Sequence, residues 1–100
     1  MIATTIKRIH LDQIKAGDKH IDYRAYNAFW QRKIEGKLHR AILFLCGRTV
    51  EVYAIEKIEV VPTPEDLREI IPDPQSYAIH LGGAHSLAEA SENVQEESQE

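Results

Sequence analysis

Between Lys19 and Arg24 the chain sets an ammonium, an imidazole, a carboxylate and a guanidinium almost side by side, in the run Gly17-Asp18-Lys19-His20-Ile21-Asp22-Tyr23-Arg24. Lys19 and Arg24 can donate to a phosphate or a base edge, and Asp22 can hold them in position or accept from a base amino group. The same residues allow a hydrolytic reading, with Asp22 positioning a water as general base and Lys19 stabilising an oxyanion. In a ribonuclease, His20 beside Asp22 is the natural proton-transfer residue, because its unperturbed pKa lies near neutrality. Beyond this run, Tyr26, Phe29 and Trp30 offer faces for unpaired bases, and Arg32, Lys33, Lys37 and Arg40 offer charge for phosphates.

The element carrying this chemistry is a strand. Ile21 and Tyr23 alternate with His20, Asp22 and Arg24, so the pattern predicts a half-buried strand with Tyr23 toward the core and the titratable groups on the other face. A structural ion pair between Asp22 and Arg24 is the plainer use of that face. Gly17 closes a short helix containing Leu11 and Ile14, after a first strand from Met1 to Lys7. Tyr26, Phe29, Trp30, Lys33 and Ile34 recur at helical spacing, where Phe29 and Trp30 could simply cover one end of the fold. Residues 40–46 form an apolar strand, Gly47-Arg48 a turn, and residues 49–61 a long returning arm. An unbroken arm would aim Glu56 at the core, which requires either a buried cationic partner or a bulge near Ile55, and a bulge is the commoner solution.

Thr63-Pro64-Glu65-Asp66 reads as a helix start, with Thr63 as N-cap, Leu67, Ile70 and Ile71 as the buried stripe, and Pro72 and Pro74 as the stop. Residues 76–81 form a last strand that Gly82-Gly83 should terminate. Residues 84–100 are rich in Ser, Glu and Gln and poor in large apolar groups, the composition of a disordered acidic tail. The chain is thus expected to hold one domain over residues 1–83 and a tail over 84–100.

The net charge of −4 hides an asymmetry. Residues 1–48 hold ten Lys or Arg against four Asp or Glu, and residues 49–83 hold two against seven. The basic half can attract phosphates or pair with the acidic half. Cys46 is the one cysteine, so no intramolecular disulfide can form, and it reads as a small buried thiol. Histidines 10, 20, 39, 80 and 85 have no metal-binding spacing, and the glycines form no phosphate loop, so neither metal nor cofactor is expected. Lys7 and Arg8 interrupt the place of a secretory signal, and no apolar run approaches the roughly 20 residues of a membrane span. A cytoplasmic protein without membrane contact, and a monomer, is the expectation.

The Gly17–Arg24 run resembles the Gly-x-Lys-x-x-Glu-x-Arg signature of the ASCH domain, a family related to the PUA RNA-binding domain, with Asp22 in place of the more usual glutamate. The resemblance covers residues 1–83 and takes in Phe29-Trp30-Gln31-Arg32-Lys33, the Ile42–Cys46 strand and the Tyr77–Leu81 strand. It implies an α+β fold, a small PUA-like β-barrel of about five strands with two or three short helices. It also implies a cleft, lined by the motif, for single-stranded RNA or a nucleoside, with Lys19, His20, Asp22, Arg24, Tyr26, Trp30, Arg32 and Lys33 as its binding residues. One branch of the superfamily deacetylates N4-acetylcytidine with a lysine, a threonine and a later glutamate. Lys19 matches that lysine, but the threonine position falls on Asp22. If the chain is an enzyme, Lys19 and Asp22 are its catalytic candidates. Function varies across the superfamily, so the resemblance speaks to fold more than to activity.

Overall fold

The computed structural model describes residues 1–85. Seven principal elements follow one another: β1 (Ile2–Thr5), α1 (Arg8–Ala16), β2 (Ile21–Ala25), α2 (Ala28–Ile34), β3 (Ala41–Cys46), β4 (Thr49–Pro62) and β5 (Gln75–His85). The strands make one mixed sheet in the order β1-β3-β4-β5-β2, with β1 parallel to β3 and every other pair antiparallel. The sheet curls into a half-barrel and stops there, leaving β1 and β2 as its two edges, so the expected barrel stays open. No helix among the described residues is long and apolar enough to cross a membrane.

The core lies inside the curl. Ile42 and Phe44 of β3, Tyr53 of β4, and Tyr77, Ile79 and Leu81 of β5 meet Leu11 and Ile14 of α1 and Trp30 and Ile34 of α2. Each helix is short and stands on its apolar face rather than on helix propensity. Gly17 ends α1 in the left-handed region, at φ 83°, and its N–H reaches the carbonyls of Gln13 and Ile14. Asn27 begins α2 by accepting from the backbone N–H of Trp30 at 3.0 Å. On the other face of β3 and β4, Ala41 and Val52 form a smaller cluster with Met1 and Leu43.

The bulge expected near Ile55 is present. The β4–β5 register shifts on both sides of Ile55, whose N–H turns to the carbonyl of Arg40 at 2.9 Å, and Glu56 emerges exposed. Gly82 sits against this bulge. A Cβ there would come within 3.2 Å of the Ala54 Cβ and 3.4 Å of the Glu56 Cγ, so glycine lets the strands approach this closely without displacing those side chains. That explains a departure from expectation: Gly82-Gly83 do not end the last strand, and β5 continues to pair Ala84 with Tyr53 and His85 with Val52. The expected tail therefore begins inside β5, and its remainder, residues 86–100, lies outside the described residues.

The helix expected after Thr63 does not form either. Only a single 3-10 turn spans Glu65–Leu67. The Thr63 hydroxyl, instead of capping, donates to the carbonyl of Asp73 at 2.7 Å and so accepts from Ser76 Oγ at 2.7 Å. These bonds tie the two ends of the segment together, and Pro72 and Pro74 prevent further winding. Ile71 is buried as expected, whereas Ile70 is 63% exposed.

Candidate ligand pocket at the open seam

An open half-barrel leaves an unpaired strand edge, and side chains close this one. The carbonyls of Ala3 and Thr5, on the free side of β1, accept from Lys33 Nζ and from Arg24 Nη2, the latter at 3.2 Å. Arg24 makes its bond from the opposite edge, so its guanidinium spans the seam. It also donates through Nε to Asp22 Oδ2 at 2.6 Å and through Nη2 to Oδ1 at 3.3 Å, and it lies 5.1 Å from the centre of the Trp30 ring. Both oxygens of Asp22 are thus engaged by one cation, a charge-assisted pair with fixed geometry.

This pairing overturns the expected orientation of β2. Asp22 is only 3% exposed and is the most buried residue of its strand, while Ile21 and Tyr23 are half-buried. The face carrying the charges is turned into the curl because Arg24 neutralises Asp22 there and Trp30 covers Arg24, so the usual penalty on a buried carboxylate is met by a partner.

Beside the bridge lies a cavity of about 460 Å³. Its size is that of a small-molecule site. β1 and the start of α1 contribute Thr5, Ile6, Lys7 and His10, the β2 region contributes Lys19 and residues 22–25, and Trp30, Leu67, Ile70 and Ile71 complete the apolar wall. Of the motif and its surroundings, Lys19, Asp22, Arg24 and Trp30 are brought together. His20 is exposed and absent from the lining, although its carbonyl accepts from the Leu81 N–H at 2.8 Å. Tyr26 packs on Tyr77, ring centres 5.1 Å apart, and Arg32 is exposed outside the cavity. Lys33 leans over Phe29 and Trp30 and is occupied with the β1 edge. The indole of Trp30 is core, while Phe29 is 56% exposed at its edge.

Lys7 and His10 are among the cavity residues that sequence reading missed, as are Ile6 after β1 and the apolar residues that the 67–71 segment supplies. The lysine and the histidine come from the far edge of the sheet, and nothing local marks them; only the position of β1 across the seam from β2 brings them to Lys19. Among the described residues no group of three His, Cys, Asp or Glu side chains could hold a metal ion.

A second hollow, about 430 Å³, lies where the bulge of β4 faces the segment after α2, and Glu35, Lys37, Leu38, Glu56, Glu59 and Tyr77 are among its walls. Four of its polar groups are engaged in side-chain bonds. The Tyr77 hydroxyl donates to Glu35 Oε2 at 2.7 Å, and burial, followed by this bond and the Glu35 charge, pushes the phenol well above its ordinary range. Glu59 meets His80 Nε2 at 2.5 Å and Lys57 Nζ at 3.5 Å, and the His80 bond, ahead of the Lys57 charge, holds its carboxyl below the usual value.

No protein-family model, curated protein or solved structure matches this chain.

Proposed function

We propose that the seam cavity binds a single nucleoside, free or at an unpaired position of RNA, in the manner the ASCH resemblance implies. The observation that carries this reading is the Asp22–Arg24–Trp30 stack opening onto a cavity of one-ligand size. A guanidinium plane held rigid over an indole is a stacking platform for a base, and its Nη1 amino group, unused in the bonds to Asp22 and Thr5, can donate to a base carbonyl. Apolar Ile70 and Ile71 line the same space and suit the other face of an aromatic ring. Lys19 adds a cation from the strand's start. The half-barrel of mixed strands is compatible with a PUA-like fold and supports the reading without carrying it.

Binding is favoured over hydrolysis by the state of Asp22. It is the cavity's one carboxylate, and Arg24 already engages both of its oxygens, which leaves them less free to hold and orient a water.

The test is an amide-resolved NMR titration with cytidine, N4-acetylcytidine and a short single-stranded RNA. Saturable shifts should cluster at residues 19–25 and the Trp30 indole. Shifts elsewhere only, or none at low salt, would refute the assignment, and release of acetate from N4-acetylcytidine would replace binding with hydrolysis.

A further inference from the structure

The cavity has more positive charge than the Asp22–Arg24 pair uses. Lys7 and Lys19 both line it, and among the described residues neither ammonium group has an ion-pair or hydrogen-bond partner. Asp22 cannot balance them, because Arg24 already neutralises it. What remains is two uncompensated ammonium groups facing an apolar-walled hollow.

The start of α1 adds to the imbalance. The first turn of a helix leaves unpaired N–H groups and favours an acidic or hydroxyl side chain. Here the N-cap is Lys7, no side chain caps the turn and it contains no acid; the first helical residue is Arg8. Next in line, His10 also borders the cavity, and its Nδ1 atom is buried without a hydrogen-bond partner. A buried imidazole nitrogen in that condition is uncommon in a folded protein and costs stability until something bonds to it. Two cations, a helix start lacking its usual acid and a buried nitrogen without a partner all border one space.

We infer that this end of the cavity binds a phosphate monoester, with Lys7 and Lys19 as its cationic contacts and His10 as a hydrogen-bonding neighbour, so that the ligand is a nucleotide rather than a bare nucleoside. The inference rests on the proposed nucleoside site for the identity of the rest of the ligand, while the phosphate end stands on its own residues. A cavity of this volume holds one nucleotide, either a free nucleoside monophosphate or the phosphorylated terminal residue of an RNA.

Isothermal titration calorimetry at low salt separates the cases, using cytidine, cytidine 5′-monophosphate, inorganic phosphate, and one trinucleotide with and without a 5′-phosphate. Charge-assisted hydrogen bonds predict that the monophosphate binds about tenfold or more tighter than cytidine. That advantage should largely vanish in Lys7→Ala and in Lys19→Ala and persist in Arg48→Ala, a change at an exposed turn cation outside the cavity lining. Tighter binding of the 5′-phosphorylated trinucleotide than of the free monophosphate would identify an RNA end as the source, and the reverse would identify the free nucleotide. Equal affinity for cytidine and its monophosphate overturns the phosphate inference while leaving the nucleoside reading intact. Binding of phosphate alone, with no gain from the base, upholds the phosphate end and removes the nucleoside reading. Loss of the advantage in Arg48→Ala as well would reduce the effect to general charge and overturn the inference.

Discussion

The two hollows have nearly the same volume, about 460 Å³ at the seam and about 430 Å³ at the bulge, and both mix apolar walls with charged side chains. They differ in the sign of the charge their side chains leave over. At the bulge, Tyr77 is bonded to Glu35, and Glu59 is bonded to His80 and Lys57, so the fold absorbs much of the local bonding capacity. At the seam, one pair is closed and the remainder is open: the ammonium groups of Lys7 and Lys19 and the buried Nδ1 of His10 have no partner among the described residues. Both hollows keep charged side chains outside any ion pair of the described residues, Lys37 and Glu56 at the bulge as well as Lys7 and Lys19 at the seam, but only at the seam are those charges all positive. That excess, rather than size, is what singles out the seam for the proposed ligand.

The sharpest way to break this contrast is at the one closed pair of the seam. Arg24→Ala leaves the Asp22 carboxylate buried without its cation and should cost about 3 kcal/mol in urea unfolding. Replacing Asp22 and Arg24 together by alanine should recover part of that loss. If the double variant is less stable than Arg24→Ala, the pair is not what holds β2 inward. Lys19→Ala supplies the opposite pattern, with stability within about 0.5 kcal/mol of the parent and clearly weakened nucleotide binding. Loss of stability without loss of binding would move Lys19 from the ligand to the scaffold.

At the bulge the prediction is structural. Tyr77→Phe removes the bond to Glu35 and should cost about 1 kcal/mol near neutral pH, with ligand affinity unchanged. The pH dependence follows from the direction of the shift. The folded phenol holds its proton above the ordinary value of 10.0, so its stabilising contribution is complete below that pH and drains away as the pH rises beyond it. The parent should lose stability in that alkaline range and Tyr77→Phe should lose less; identical alkaline curves would show that the phenol is not protected. Glu59→Gln should have the smallest effect, because the carboxylate is exposed to solvent. Its depressed pKa means that any difference from the parent is present above the ordinary value of 4.5 and fades as the pH falls below it, and a difference that survives further acidification would not come from its charge.

Local features of this fold were readable in the sequence. The β3–β4 hairpin follows from its apolar run, turn and alternating arm, and the bulge follows from the conflict that Glu56 would have created in an unbroken strand. Features decided across the molecule were not. Thr63 carries every mark of an N-cap, yet its hydroxyl finds Asp73 and Ser76, which no local pattern encodes. Gly82-Gly83 look like a stop, and only contact with Ala54 and Glu56 shows that Gly82 is there for close approach. The motif of β2 was visible as chemistry but assigned to the wrong face. Hydropathy alternation assumes that charges seek water, and Asp22 and Arg24 satisfy each other instead.

The open seam also has a consequence for how the molecule is made. Its walls stand on the two ladders that join the most distant parts of the chain, Ile2 with Ile42 and Ile21 with His80, whereas the hairpin of β3 and β4 closes between neighbours. Distant ladders pay the larger loop-closure entropy and tend to form late. The hairpin can exist before the cavity does, so a chain part-way through folding has strands but no site. A nucleotide that fits the seam would leave early folding untouched and slow the opening of β1 and β2, making the ligand's main kinetic signature a longer-lived native state.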